Sequence, residues 1–168
     1  PYVEEIIREL QNIDQKVCYL TSSKDDPILK SKNENVRVFY IGDSELEKMN
    51  FFLRLKAKML IMTMPDLGSY HIKRSKEFPV HYIYTFHSMN STHMEFQKGA
   101  FDEFDSIFCV GQYQIQELRA TEKLYNLKRK NLVECGYGLL DKLIKLRSSF
   151  LEKKNLLKNN KKNILIAP

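Results

Sequence analysis

The sequence predicts an α/β domain, Rossmann-like and doubly wound, on a mainly parallel sheet. Short apolar runs of four to seven residues alternate with segments of helical period along most of the chain. Runs such as Ile107-Phe108-Cys109-Val110 are continuously apolar, which suits strands covered on both faces better than strands with one wet face. With 168 residues, 43% of them hydrophobic and 29% charged, the chain is long enough for one domain with a real core and too short for two ordinary ones.

The elements follow in order. Val3, Ile6, Ile7 and Leu10 fall on one stripe of a helix over 2–12, with Glu4, Glu5, Arg8 and Glu9 on the other side. A strand at 17–20 precedes a polar loop, 22–35, with room for one short helical turn. A second strand, 36–41, stops at Gly42, and Ser44-Glu45-Leu46-Glu47 has the form of a capping box opening a helix to about Leu55. Strands are expected at 58–62, 80–86, 106–110 and 131–135, with a helix at 113–125 before the last of them. A basic helical stretch, 139–157, leads to a final apolar run, 163–167.

This pattern suggests a domain over 1–140, a basic helical linker over 141–162, and the first strand of a further domain at 163–168. A doubly wound domain usually opens on a strand, whereas this chain opens in a helix. A fragment is therefore expected, its first strand upstream and its second domain downstream.

The net charge of +6 and pI near 9.1 favour anionic partners. Between Lys142 and Lys162 there are eight Lys or Arg residues and one acid, Glu152. Such a segment reads as a helix touching an anionic membrane face or as an interdomain helix with a wet outer side, the second being commoner. Nucleic acid is not expected, because aromatic residues are not interleaved with the basic cluster. No apolar run reaches the roughly 20 residues that span a bilayer, and no signal-peptide pattern stands at the start. Cys18, Cys109 and Cys135 form no CxxC pair and lie in strand-like settings, so buried reduced thiols of a cytoplasmic protein are expected.

Candidate chemistry concentrates between Pro79 and Gly111. His87 closes a buried strand, where open α/β sheets build their sites, and an imidazole with an ordinary pKa near 6.5 suits general-base work. The alternative is a strand-end side chain that only ties down a loop. Thr92-His93-Met94-Glu95 has capping-box form, which puts His93 in the first turn of a short helix, either near a phosphate or merely solvated. Gly111 lies between a strand and the helix that follows, where free amides can cradle an anion or the chain simply needs room. Ser88 and Gln112 adjoin these positions. Lys73 and Arg74, with Ser69 and Lys76, form a basic loop that either reaches a phosphorylated acceptor or is solvated. His81 is expected to be structural, and no third ligand joins His87 and His93 to make a metal site.

Three segments carry a resemblance: Tyr82-Ile83-Tyr84-Thr85-Phe86-His87, Phe104-Asp105-Ser106-Ile107-Phe108-Cys109-Val110-Gly111, and Gly136-Tyr137-Gly138-Leu139-Leu140-Asp141. In their order and spacing they resemble the amino-terminal half of the CDP-glycerol glycerophosphotransferase family, two-domain GT-B-type enzymes of teichoic-acid and related surface-polymer synthesis. The resemblance covers about 80–168, with Ile164-Leu165-Ile166-Ala167-Pro168 resembling the strand that opens the carboxyl-terminal half. The chain departs from the family in Ser88-Met89, where Gly-Thr is usual, and in Gly138-Leu139, where Pro-Arg is usual. The resemblance implies His87 as the base that deprotonates an acceptor hydroxyl; Ser88, His93, Gly111, Gln112, Lys73 and Arg74 are candidate substrate contacts on their own placement in the sequence. It further implies a CDP-linked donor held by the carboxyl-terminal half, a polyol-phosphate or glycan acceptor, no cofactor, and work at the cytoplasmic face of the membrane. The alternatives are half of a GT-B glycosyltransferase or nucleotide-sugar epimerase, or a non-catalytic flavodoxin-like binding module.

Overall fold

The computed structural model describes residues 4–30 and 36–154, and divides the chain into one unit over Tyr2–Tyr137 and another from Gly138 onward. In the first unit the order is α1 (Glu4–Asn12), β1 (Val17–Thr21), a 3-10 turn (Pro27–Lys30), β2 (Val36–Tyr40), α2 (Glu45–Arg54), β3 (Met59–Met62), β4 (His81–Thr85), α3 (Thr92–Glu95), β5 (Ser106–Cys109), α4 (Gln112–Leu124) and β6 (Asn131–Glu134). The fold is α/β, and every paired strand is parallel to its neighbour.

The strands form two sheets, a pair β1-β2 and a four-stranded sheet ordered β3-β4-β5-β6. In the larger sheet each strand lies beside the next in sequence. Right-handed crossovers between such neighbours keep all the connections on one face. The core agrees: Met62, Tyr84, Ile107 and Leu132 are level with one another across the sheet, and against that face pack Leu67 and Ile72 from the β3–β4 connection, Phe101 and Phe104 from the next, and Leu118 of α4. The other face is less covered than continuously apolar strands led one to expect, since Met59 is 50% and Val133 38% exposed.

Tyr84 sits at the centre of the core with Phe86, Phe101 and Phe104 around it, ring centroids 4.9–5.3 Å away. Its hydroxyl is buried without a hydrogen-bond partner among the described residues, and burial pushes its pKa well above the ordinary tyrosine value.

Local signals explain the boundaries. The capping box at α2 is present: Ser44 Oγ accepts from Glu47 N at 3.3 Å, and Glu47 Oε2 accepts from Ser44 N at 3.2 Å. Gly42, at φ +89°, leaves no room for a Cβ, which would stand 2.5 Å from Glu47 Oε2. At the amino end of the sheet Asp105 does three things. Its Oδ2 accepts from Tyr82 N at 2.8 Å, it pairs with Arg74 Nη2 at 3.1 Å, and its backbone carbonyl accepts from Asn131 N at 3.0 Å. The Phe104-Asp105 motif thus sets the register of three strands.

Only one thiol meets the expectation of burial. Cys109 is buried and pushed up to about 12 by loss of solvent, whereas Cys18 and Cys135 are exposed. Cys18 takes the outer side of a two-stranded ladder, and Cys135 lies just past the end of the edge strand β6. His81 is exposed too, and its Nε2 shares a 2.8 Å hydrogen bond with Ser106 Oγ.

In the second unit α5 runs Gly138–Lys154, with Leu140, Leu143, Ile144 and Leu146 exposed beside Lys142, Lys145 and Arg147. The expected helix end at 155–157 and the strand at 163–168 lie outside the described residues. Among those described, no helix is long and apolar enough to cross a membrane.

Candidate functional site

Parallel strands in one sheet bring their carboxyl ends to a common edge. Three turns meet there: His87–Ser91 after β4, Val110–Gly111 after β5, and Cys135–Tyr137 after β6. His87 is exposed, two residues beyond the last residue of β4, while Tyr84, Thr85 and Phe86 before it are buried. The imidazole therefore stands at the rim of the sheet on a backbone fixed by the core.

Three side chains from elsewhere hold that turn. Tyr137 OH donates to His87 O at 2.8 Å, tying the β6 turn to the β4 turn. Gln114 of α4 is completely buried; its Oε1 accepts from Val110 N at 2.7 Å and its Nε2 donates to Asn90 O at 2.9 Å. Glu117, one turn further on, accepts from Thr92 N at 2.6 Å, Thr92 Oγ1 at 2.8 Å and Ser91 Oγ at 3.0 Å. Burial pushes the Glu117 carboxyl up, but the donations from Thr92 and Ser91 and the nearby His93 outweigh this and hold it below the ordinary glutamate range. The turn from His87 to Thr92 is thereby fastened at both ends.

This geometry corrects the reading of α3. Its N-cap is Ser91 rather than Thr92, and no side-chain cap comes from the local sequence. A carboxylate 25 residues away in sequence takes the place expected for Glu95. His93 is in the first turn, as expected, but its Nδ1 lies 3.4 Å from Glu117 Oε1, and the Thr92 amide is already bonded. The chemistry at His93 is therefore that of an acid neighbour and not of an open anion cradle.

The other expected residues divide between the two ends of the sheet. Ser88 adjoins His87 in the same turn. Gly111 is the N-cap of α4 in extended backbone, φ −165°, and Gln112 is the first helical residue, so both stand at the carboxyl edge. Arg74 belongs to the amino end. It pairs with Asp105, donates to Glu103 O and to Val80 O, and lies with its guanidinium carbon 4.7 Å from the Tyr82 ring centroid. Lys73 Nζ donates to Gly68 O at 2.7 Å within its own loop. The structure thus assembles His87, Ser88, Gly111 and Gln112 on one edge and puts Arg74 on the other.

Sequence reasoning passed over Gln114, Glu117 and Tyr137. A signal existed for Gln114, which shares a helical face with Leu118 four residues on, so that a polar group there must find a buried partner. No group of three or more His, Cys, Asp or Glu is placed to hold a metal among the described residues. The chain matches no family model, no curated protein and no solved structure.

Proposed function

We propose that this chain is the acceptor-binding half of a CDP-glycerol, or related CDP-alditol, glycerophosphotransferase of the GT-B type, acting in cell-surface polymer synthesis, with His87 as general base. The observation that carries the reading is an exposed imidazole on the carboxyl edge of a parallel sheet, held on a turn fastened at both ends. The resemblance of the Tyr82–His87, Phe104–Gly111 and Gly136–Asp141 segments supplies the reaction class. The doubly wound form of this reading requires β1 and β2 to continue the larger sheet beyond β3.

In this reading an acceptor hydroxyl lies against His87 and attacks the glycerol-bearing phosphorus of the donor. The new O–P bond forms as the P–O bond to CMP breaks, and the hydroxyl proton passes to the imidazole. Such transfers depend on positioning and on neutralising charge. Ser88 and the Gly111–Gln112 turn supply acceptor contacts, the CDP group belongs to the carboxyl-terminal half, and the basic 142–162 segment links the two halves, with contact to anionic lipid on the cytoplasmic side as an addition. Lys73 and Arg74 drop out of the acceptor set, because their cationic groups are taken up by Gly68, Asp105 and Glu103.

The test is His87→Ala in the full-length enzyme. Removing a general base lowers turnover by about 10²–10⁴-fold. An exposed position leaves the fold intact, so the amide spectrum of the variant should match that of the parent. Turnover within threefold of the parent removes His87 from the mechanism. Release of a nucleoside diphosphate in place of CMP assigns the chain to a glycosyltransferase or epimerase instead.

A further inference from the structure

The first compact unit ends at Tyr137, and α5 begins at the next residue, Gly138. Few contacts hold that junction. Cys135, just past β6, is still part of the sheet, its N–H donating to Cys109 O at 2.9 Å. Gly136 follows at φ +74°, where a Cβ would meet nothing within 4 Å. A left-handed backbone with open space beside it is a point about which a chain can turn. Beyond Gly136, the tie back to the sheet among the described residues is one side-chain bond, from Tyr137 OH to His87 O at 2.8 Å.

That bond lies wholly within the first unit, yet it joins the residue next to α5 to the residue proposed as the base. Because β5 stands between β4 and β6, the phenol reaches over the end of β5 to a strand that is not its neighbour. The ties on the His87 turn also differ in kind. Gln114 is completely buried, so its bond to Asn90 O opens only when the packing around it opens. The Tyr137 bond is exposed, water can replace either partner, and its closure is favoured by a factor of only about 2–10. A contact of that strength opens and closes without disturbing the sheet.

We propose that Tyr137 is a latch that couples the orientation of α5 to the His87 turn, with Gly136 as its pivot. With the latch closed, the start of α5 is tied through one side chain to the backbone that carries the imidazole. When α5 turns about Gly136, the phenol leaves His87 O; Gln114 and Glu117 still hold the far end of the turn, but His87 itself is released. Such coupling is reciprocal, so whatever closes the latch orders both segments. Its consequence for turnover rests on the reading of His87 as general base; the coupling itself does not.

The test is amide relaxation of the isotope-labelled full chain and of three variants. Tyr137→Phe keeps the ring and removes the donor. Order parameters should then fall together at 87–89 and at 138–142, below the about 0.85 of rigid backbone, with the amide spectrum of the sheet unchanged. Gln114→Leu loosens the same turn from its other end and should leave α5 at the parent's order. Two glycines inserted between Tyr137 and Gly138 should lower order in α5 while 87–89 stay as in the parent, because the latch remains closed. In the full-length enzyme Tyr137→Phe should lower turnover by about 2–10-fold. Should His87→Ala keep its turnover, the catalytic consequence falls and the order parameters alone judge the latch. Order unchanged at either segment in Tyr137→Phe, equal loss of α5 order in Gln114→Leu, or a loosened 87–89 in the insertion variant overturns the proposal.

Discussion

Replacing Gln114 by leucine tests whether α4 holds the His87 turn. The side chain is completely buried and serves two backbone groups, Val110 N at 2.7 Å and Asn90 O at 2.9 Å. Leucine keeps most of the volume and strands both. An unsatisfied buried donor or acceptor costs about 1–3 kcal/mol, and since Val110 and Asn90 are only half-buried, water recovers part of this, leaving a loss of about 2–4 kcal/mol. With a urea slope of about 2 kcal/mol/M the midpoint should fall by about 1–2 M. Hydrogen exchange at Asn90–Thr92 should accelerate by more than at the centre of β4, because the turn loses its anchor while the sheet keeps its ladder. Glutamate at the same position adds a pH signature. One carboxylate oxygen keeps the Val110 bond, but the other then faces the Asn90 carbonyl, so burial and that carbonyl raise the folded-state pKa above the unfolded value of about 4.3. A group with a raised folded-state value holds its proton more tightly when folded. The deficit of Gln114→Glu is therefore smallest at acid pH and grows as pH rises through the folded-state value. A midpoint shift below about 0.3 M for the leucine variant, or a pH-independent deficit for the glutamate variant, would refute the bridging role.

Three further outcomes follow from the same network of contacts. Glu117→Gln should lower stability by about 1 kcal/mol near neutral pH. Because Glu117 has its folded pKa held down, its contribution is present above the unfolded carboxylate value and lost as pH falls through the lower folded one, so the variant's deficit should shrink there in acid unfolding curves. Tyr84→Phe removes a buried hydroxyl without a partner and should leave thermal stability unchanged or raise it by about 1 kcal/mol; a loss above 1 kcal/mol would mean that the hydroxyl is bonded. Gly136→Ala and Gly42→Ala both force alanine to positive φ, +74° and +89°, but a Cβ at 136 meets nothing within 4 Å whereas at 42 it strikes Glu47. The first should cost about 1 kcal/mol and the second more, with loss of the α2 cap visible as faster exchange at Glu47.

Periodicity and local turn chemistry made the elements legible, and non-local pairing made the site only half so. The strand at 106–110 and the Ser44–Glu47 capping box could be read because each depends on neighbours within four residues. Arg74 could not, because the group that fixes its role, Asp105, is 31 residues away and meets it only once β4 and β5 lie side by side. The capping of α3 misled for the same reason: Thr92 and Glu95 have the right spacing, yet Glu117 presents a carboxylate from a longer helix whose position the core already determines. Continuous apolarity also overstated the cover of the sheet, since consecutive strand order sends its crossovers to one side.

The two ends of the larger sheet differ in a way that bears on where chemistry belongs. At the amino end the charged groups are used up internally, Arg74 on Asp105 and on two backbone carbonyls, so that a ligand there would first have to displace contacts that set strand register. At the carboxyl end bonds from Tyr137, Gln114 and Glu117 go to the backbone of the turn, at His87 O, Asn90 O and Thr92 N, and from Glu117 to the Ser91 and Thr92 hydroxyls as well. Those bonds spend the conformational entropy of the turn during folding while the His87 side chain stays at the surface. The general-base role proposed for His87 would gain from that division, because an imidazole on a fixed backbone loses little further freedom when a ligand arrives. On the proposed transferase reading the anchoring side chains and the ring on their turn form one device, and the expected outcome is that loosening Gln114 lowers turnover with His87 itself unchanged.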